Sequence, residues 1–464
     1  MPEIGPMNQP EDREPMRPVY PFNEPGSSIA LYEGPIVGVA PGPRVGRIEL
    51  SCRPNNGLRW HIRPEGSDGR VDPRPASLMV QRRGGDWTVE AHRRNLSEGW
   101  INMARFSLPD ARLRRVIAHW MNLPKISGPI GLTTSDADGR RWWLGRWKTE
   151  VDGWILTMDV RPDYAEAMAE AHTTHLYLIT HVMEIRRADD GDFDVESVEQ
   201  LLDCLRVTFS FAFGRWVAPV LPVGYDAIGD VVWEMWTSPI CDPAKRIPSA
   251  WLFKGRPEDL TELTRKALPA FRDQRRPGFA RFQMCMAIQA VESGFVEQRI
   301  LAAAPALEHL AWANLVSGQR WSRDDYSNRY AEDRLRFLLQ EARIPTDIDS
   351  VILPALANFA RPESLDGPTA TTRVRNRLIH PQTPEDQIYR HDGLVQDAWL
   401  LSRHYVTLLI LHSIGYRGST VSLVQQTGWE GNAVPVPWAD GEAPCPEPRM
   451  PPIRRNGRRG NRPS

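Results

Sequence analysis

The sequence predicts an α+β protein, in which a β-rich mixed module is followed by a C-terminal all-α helical bundle. Between residues 29 and 250, short extended runs are separated by glycine-containing turns, as in antiparallel sheets. From about residue 256, apolar residues recur at every third or fourth position, as core-facing helices require. The 464 residues suffice for two or three domains with substantial cores. We therefore expect a mixed module at 29–250 and a bundle at 256–430.

Both ends of the chain have compositions typical of disorder. Residues 1–28 are rich in proline and acidic residues and have few large apolar side chains, which predicts a disordered leader. Residues 431–464 are proline-rich and end in a basic stretch, which predicts a disordered tail. We favour a solvated terminus over an RNA contact for its arginines, which are Arg454, Arg455, Arg458, Arg459 and Arg462.

The mixed module is predicted to be mostly strand. Asp138-Gly139 and Asp152-Gly153 separate extended runs and indicate hairpins. Helices are predicted for PDARLRRVIAHWMN, PDYAEAMAEAHT and VESVEQLLDCLRVTF. The predicted strands are RVGRIELSC, LRWHIRP, SLMVQRR, DWTVEA, GPIGLTT, RRWWLGRWKTEV, WILTMDV, LYLITHVMEIRR, SFAFGRWVAPVLPVG and DVVWEMW.

Charge, cysteine content and hydropathy indicate the cellular compartment of the protein. The formal net charge is −1, so the charge of the whole protein does not indicate a nucleic-acid binder. Five scattered cysteines without a CxxC pair fit a reducing cytosol better than a disulfide framework. No signal peptide is recognisable, and no apolar run reaches the roughly 20 residues of a membrane span. We expect a cytoplasmic protein without membrane contact.

The familiar enzyme signatures are missing from the sequence, and its histidine cluster does not fit a metal site. The chain has no P-loop, GxSxG elbow, HExxH or dinucleotide fingerprint. His172, His175 and His181 lie near Glu184, but strand spacing would put His175 and His181 about 20 Å apart. We therefore expect no metal and no cofactor. A metal-dependent enzyme using these histidines remains a third hypothesis.

The stretch RRWWLGRWK, residues 140–148, interleaves arginine with tryptophan. This combination suits stacking on bases and gripping the backbone of a nucleic acid. In a strand, however, Trp143 and Trp147 face one way, whereas Trp142, Leu144 and Arg146 face the other. Because aromatic residues on one face of a hairpin usually pack a sheet, we favour core or inter-domain packing.

The stretch RVRNRLIHP, residues 373–381, places three arginines and an asparagine before a histidine. The spacing of Arg375 and His380 is weak evidence alone, since composition predicts about one such pair by chance. Arg114 and His119 repeat it elsewhere in the chain. One interpretation is a helix with a solvated arginine face and a histidine at its C-terminal end, where a cation is favoured. The alternative is a site that grips phosphate and moves a proton.

The stretch at 373–381 resembles the arginine–histidine motif of HEPN domains, most closely the ApeA-like HEPN proteins of prokaryotic defence systems. The match is RNRLIHP, with an arginine, a polar residue, a spacer and a histidine. Further similarity covers most of the chain, in VEQRILAAAPALEHLAWANL, LLILHSIGYRG, HVMEIRR, FSFAFGRWVAP and GYDAIGDVVWEMW.

The resemblance implies a metal-independent endoribonuclease of an anti-phage, abortive-infection or toxin system. Such an enzyme uses the ribose 2′-OH as internal nucleophile. It implies Arg375, Asn376 and His380 as catalytic residues, with His380 as acid and base and Arg375 stabilising phosphate. Arg373 and Arg377 are expected to bind RNA. The implied partners are an RNA substrate, a second copy of the chain, and a phage-derived trigger acting on the N-terminal module.

Helical geometry complicates this assignment. Five residues of an ideal helix separate Arg375 and His380 by about 140°, whereas Arg373, Asn376 and His380 share one face. Arg373 is therefore the alternative partner of His380. Arg375 stays the first choice if His380 leaves helical geometry before Pro381, or if Arg375 acts across a dimer. A non-catalytic HEPN domain that binds RNA or a protein is the alternative function. Under the catalytic hypothesis we expect a homodimer whose two His380 residues line a shared basic groove.

Overall fold

In the computed structural model, the described residues form two compact units. They are 13–38, 42–63, 75–82, 85–126, 128–136, 139–244, 250–292, 294–381, 388–424 and 433–439. The first unit contains the described residues up to Ser210 together with 216–244 and 254–257. The second contains 211–215, 250–253 and the described residues from Glu258 onward. No helix among the described residues is long and apolar enough to span a membrane.

The first unit is built from antiparallel strands and two helices, as the predicted β-rich module requires. The strands are β1 (Ile29–Val37), β2 (Arg44–Cys52), β3 (Asn56–Ile62), β4 (Pro75–Arg82), β5 (Gly85–Arg93), β6 (Glu98–Ile101), β7 (Met103–Ser107), β8 (Arg115–Met121), β9 (Ile130–Asp136), β10 (Gly139–Val151), β11 (Trp154–Val160), β12 (Ile179–Arg187), β13 (Ala218–Tyr225) and β14 (Val231–Thr237). The helices are α1 (Tyr164–Thr174) and α2 (Val195–Phe213).

Six of these strands form a closed sheet in the order β1-β2-β3-β6-β5-β4. Its strands alternate between buried and exposed residues, because successive side chains of a strand point to opposite faces. In β5, for example, Trp87, Val89 and Ala91 are buried, whereas Thr88 and Glu90 are exposed. The buried set forms one core, with Ile36, Ile48, Leu50, Leu58, Trp60, Leu78 and Val80 among its members.

The other eight strands form a second sheet in the order β7-β14-β13-β8-β12-β11-β10-β9. The predicted Asp152-Gly153 hairpin is confirmed, since both residues have positive φ and Val151 pairs with Trp154. Asp138 lies outside the described residues. Helix α2 packs on this sheet through Phe209. The centre of its ring lies 4.9 Å from the ring centre of Trp120 and 6.0 Å from that of Trp147.

The predicted helix at 109–122 is wrong, because half of this segment is the central strand β8 and the rest is not helical. β8 pairs with β12 on one side and β13 on the other. Residues 116–121 are all buried, so both faces of the strand are covered. A strand that is covered on both faces loses its two-residue alternation, and its continuous apolar run then resembles part of a buried helix.

The predicted leader does not hold for residues 13–28, which are anchored to the first unit. The Met16 amide donates to the Asp159 carboxylate at 2.7 Å, and the Tyr20 amide donates to His119 Nε2 at 3.1 Å. The Asn23 side-chain oxygen accepts from the Ile179 amide at 2.8 Å. Residues 1–12 lie outside the described residues. The segment uses specific hydrogen bonds, which its acidic, proline-rich composition does not reveal.

His119 should make the first unit less stable in mild acid. Its Nε2 accepts from the Tyr20 amide and its Nδ1 lies 3.2 Å from the Leu221 carbonyl, so the fold uses the neutral ring. Burial lowers the pKa of His119 from 6.5 to about 4. Because the unfolded chain takes up this proton first, the free energy of unfolding falls as pH drops from 6.5 towards 4, by about 3 kcal/mol.

Chemical denaturation across this pH range measures the effect. Burial also lowers the pKa of His181, to about 3, so His119→Gln should flatten the pH dependence without removing it. Equal slopes for the wild type and His119→Gln would contradict the assignment to His119.

The second unit is predominantly helical, in agreement with the predicted bundle. A π-helical turn, Ala313–Ser317, continues the helix Val296–Trp312. The helices are α3 (Pro257–Phe271), α4 (Phe279–Glu292), α5 (Val296–Trp312), α6 (Arg323–Ser327), α7 (Ala331–Glu341), α8 (Pro354–Ala360), α9 (Gly367–Ile379) and α10 (Leu394–Ser413).

The helix α10 is the core of the second unit. It is buried almost along its whole length, and it contacts α4, α5, α7, α8 and α9. Because it is covered on all sides, it carries apolar residues around its circumference rather than along one stripe.

The second unit also has a small sheet, so the prediction of an all-α bundle needs a correction. The strands β15 (Ser419–Val421) and β16 (Ala433–Pro435) pair with each other. The predicted disordered tail therefore does not hold for 433–439, where the Trp438 indole donates to the Tyr416 carbonyl at 2.6 Å. Residues 440–464, with the basic stretch, lie outside the described residues.

Candidate functional site

The stretch RVRNRLIHP forms the second half of α9 and the residues that end it. Asp366 caps the start of α9 by accepting from the Thr369 amide at 3.0 Å, and Pro368 occupies the first turn. His380 is the C-cap residue, with φ −130° and ψ 67°, so it leaves helical geometry immediately before Pro381. The sequence prediction of a short helix that stops at His380 is confirmed.

A charged network holds the start of α9 in place. Arg336 of α7 contacts Asp366 through Nε at 2.5 Å and through Nη2 at 3.1 Å. Burial opposes the charge of Asp366, but the hydrogen bonds from Arg336 and Thr369 outweigh it and lower the pKa of this carboxyl. Asp366 therefore stays charged at neutral pH and fixes the position of α9 against α7.

Arg375 points towards α5, where it belongs to a cluster around Glu308. Its Nη2 lies 3.8 Å from Glu308 Oε1, and Arg334 Nη2 lies 3.3 Å from Glu308 Oε2. The Tyr326 hydroxyl donates to the same carboxylate at 3.4 Å, and the Arg334 guanidinium lies 4.1 Å from the centre of the Tyr326 ring. Burial, chiefly, raises the pKa of Tyr326 to about 12. Because two arginines face one carboxylate, these three side chains together carry a net positive charge.

A small cavity adjoins this cluster. Its volume is about 40 Å³, room for a few water molecules. Polar groups at its wall come from Glu308, Arg375, Thr371, Thr372 and Ser402. The remaining wall is apolar and consists of Ile300, Ala304, Leu307, Ala311, Ala331 and Leu335.

Two of the other predicted site residues are exposed, and two are half-buried. Asn376 and His380 are exposed, and the Asn376 carbonyl accepts from the His380 amide at 2.7 Å. Arg373 pairs with Glu363 at 2.6 Å. The Arg377 guanidinium lies 5.0 Å from the centre of the Phe359 ring.

The predicted angular separation of Arg375 and His380 is reflected in their contacts. Arg375 reaches Glu308 and the cavity, whereas His380 is exposed at the helix end. Within the described part of the chain, no hydrogen bond or ion pair connects the two side chains. One copy of the chain thus presents a histidine and an arginine cluster, but in separate places.

The Glu308 cluster contains two charged residues that the sequence analysis did not predict as site residues, Glu308 and Arg334. They lie on α5 and α7, and Arg375 lies on α9. The signal available in the sequence was only the length and periodicity of these helices, which do not say which faces meet.

The histidines at 172–181, and the second arginine–histidine pair of Arg114 and His119, have structural roles. His175 ends α1 in the left-handed conformation, whereas His181 is buried in β12. Glu184 pairs with Arg115 and Arg186. In the described ranges no group of three or more histidine, cysteine or carboxylate residues is placed to hold a metal ion.

Arg114 pairs with Asp192, and His119 is buried, so the same arginine–histidine spacing there carries no exposed site.

The arginine–tryptophan stretch in β10 divides as predicted for a strand, with one exception. Trp147 is buried and Trp143 is partly buried, which confirms core packing on their face. Trp142 is 63% exposed, and Leu144 is exposed beside it. Arg146 departs from this outward face because the register shifts after Leu144, and it is buried against Asp159.

Two parts of the chain match known domain families. Residues 108–247 match the YopA central domain, and residues 286–434 match the YopA C-terminal domain. The second match includes α9 and the Glu308 cluster. Neither domain description names an activity or a HEPN domain, so the resemblance to HEPN domains stays a hypothesis.

The chain is also similar to the SPbeta prophage-derived uncharacterized protein YopA of Bacillus subtilis (strain 168). The two are 29% identical over 304 residues, which are 65% of this chain and 67% of that protein. No solved structure is significantly similar to the chain.

Proposed function

We propose that the chain is a metal-independent endoribonuclease of a defence or toxin system, with its active site at the end of α9. The observation that carries this proposal is the exposed His380, which stands outside the helix just beyond the exposed Asn376. An imidazole in this position is accessible to a large substrate and is able to accept and donate a proton.

The chemistry follows from the groups on α9 and next to it. One histidine removes the proton of the ribose 2′-OH, whose oxygen attacks the adjacent phosphorus. The bond from phosphorus to the 5′-oxygen breaks, and a second histidine protonates that oxygen. An arginine stabilises the extra charge on the phosphorane. The products are a 2′,3′-cyclic phosphate and a 5′-hydroxyl, with no metal taking part.

A single copy offers His380 and Arg375 in different directions, so the proposal includes a homodimer. Two copies related by a two-fold axis would supply two histidines and several arginines to one cleft. Arg373 remains the alternative to Arg375, because ideal helical spacing would put it on the same side as His380. The proposed compartment is the cytoplasm, and the proposed trigger for the first unit is phage-derived, as the family resemblance suggests.

A non-catalytic RNA-binding module is the second candidate. Its support is the ion pair of Arg375 with Glu308, since a carboxylate competes with phosphate for this arginine. In that case α9 would bind RNA without cleaving it.

Incubation of the purified chain with total RNA in EDTA separates these functions. We expect cleavage, with fragment ends that carry 2′,3′-cyclic phosphate and 5′-hydroxyl groups. Cleavage that disappears with the chelator would indicate a metal-dependent enzyme. RNA binding with no cleavage, in EDTA or in magnesium, would overturn the nuclease and favour the binding module.

A further inference from the structure

The helices α4 and α5 carry a group of partly exposed rings that the site on α9 does not use. The Phe279 ring lies 4.5 Å from the His309 ring and 6.0 Å from the Trp312 ring. The Phe282 ring lies 4.8 Å from the His309 ring. Phe282 and Trp312 are each 39% exposed, so their rings are accessible on either side of His309. We call these four residues the aromatic surface.

His309 at the centre of this surface is held as a neutral ring. The Gln283 side-chain nitrogen lies 3.1 Å from His309 Nδ1. An amide nitrogen only donates, so Nδ1 accepts and carries no proton. Burial also lowers the pKa of His309. The surface therefore presents uncharged π-faces at neutral pH.

Arginines cluster in the chain segment that leads into the aromatic surface. Residues 272–281 contain Arg272, Arg275, Arg276 and Arg281, with Asp273 as the one acidic residue. The Arg276 carbonyl accepts from the Phe279 amide at 3.2 Å, and Arg281 is adjacent to Phe282 in α4. Arg272, Arg275 and Arg281 are exposed. Arg275, Arg276 and Arg281 thus lie within seven residues of Phe282 along the chain.

We propose that the aromatic surface binds single-stranded RNA, with bases stacked on Phe282 and Trp312 and phosphates near the arginines of 272–281. Rings combined with arginines are the combination that non-specific single-strand binding uses. A second protein with an apolar face is a poorer fit, because it would bring the exposed Arg275 out of water without supplying a carboxylate. The choice of RNA rests on the proposed function, and the surface would then hold the substrate strand beyond the cleavage site.

Binding of an uncleavable strand tests the surface separately from catalysis. The probe is a fluorescently labelled 2′-O-methyl RNA 12-mer of mixed sequence, which has no 2′-OH nucleophile. Anisotropy titrations with the full chain at low salt are expected to show 5- to 100-fold weaker binding for Phe282→Ala and for Trp312→Ala. Phe282→Tyr should bind as the wild type does, because it keeps the π-face. Arg275→Glu with Arg276→Glu should weaken binding and reduce its salt dependence.

Phe295→Ala is the matched control, since Phe295 is a more exposed phenylalanine at the start of α5, the end opposite to Trp312. It should leave the affinity unchanged, and thermal unfolding checks that each variant is folded. Wild-type affinity for both Phe282→Ala and Trp312→Ala would overturn the proposal. A changed oligomeric state at unchanged affinity would overturn it as well, by assigning the surface to a protein interface.

The proposed nuclease and the proposed surface can fail independently. A chain that binds the probe through Phe282 and Trp312 but never cleaves RNA keeps the surface and loses the nuclease. A chain that cleaves RNA and binds the probe without these rings keeps the nuclease and loses the surface.

Discussion

The substitution His380→Asn is expected to reduce RNA cleavage by at least about 100-fold, because it removes the proposed acid and base of the reaction. The loss should fall on the rate of cleavage and leave the fold intact. His380 is exposed, and the hydrogen bond that it makes to Asn376 uses its backbone amide, which asparagine retains. Single-turnover cleavage of a defined RNA, with both proteins at saturating concentration, measures the effect.

The matched control is His175→Asn, which makes the same change at another exposed histidine. His175 has positive φ at the end of α1, a conformation that asparagine tolerates. This variant should cleave RNA as fast as the wild type. If His380→Asn cleaves within twofold of the wild-type rate, His380 is not the acid or base, and the nuclease at α9 fails.

The substitution Arg146→Met is expected to lower the free energy of unfolding of the first unit by about 3–5 kcal/mol. Arg146 makes two hydrogen bonds of 2.8 Å to the Asp159 carboxylate. The side chains of Arg146 and Asp159 are only 10% and 4% exposed. Methionine would leave the Asp159 charge buried without its cation. The Arg146 hydrogen bond to the Glu14 carbonyl would also be lost, which loosens the anchored segment 13–28.

Denaturant unfolding of the full chain, followed by tryptophan fluorescence, measures this change. The double variant Arg146→Met/Asp159→Leu should recover much of the loss, because removing both charges avoids burying one alone. Arg47→Met provides a control with a change of about 1 kcal/mol or less, since Arg47 is partly exposed and pairs with Glu33 and Glu49 near the surface. An effect of Arg146→Met no larger than that of Arg47→Met would contradict the proposed importance of the buried pair.

Local patterns determined much of the fold. Asp152-Gly153 specified its hairpin because residues with positive φ are needed in that turn, and the need is met within four residues. The helices of the second unit were predicted from their apolar spacing, since one face of each meets a core. The end of α9 followed from Pro381, whose ring restricts the preceding residue. Each of these features depends on residues that are neighbours in the chain.

The errors arose where long-range contacts overrule local preference. Residues 116–121 form a strand because β12 and β13 pair with them on both sides, and these partners lie about 60 and 100 residues further along the chain. Residues 13–28 are anchored although their composition predicts disorder. Their hydrogen-bond partners are His119, Asp159 and Ile179, and no sequence pattern near the N-terminus predicts these contacts.

The candidate sites divide in the same way. The sequence by itself determined that α9 carries Arg373, Arg375 and Asn376 at known angles, because helical periodicity places each side chain, and that His380 stands at the end of the helix before Pro381. Only the tertiary structure decided that Arg375 meets Glu308, and that Phe282 lies beside His309. The first pair joins α5 to α9 and the second joins α4 to α5. Which helix faces meet is decided by packing of the whole unit, so contacts between distant segments cannot be read from spacing along the chain.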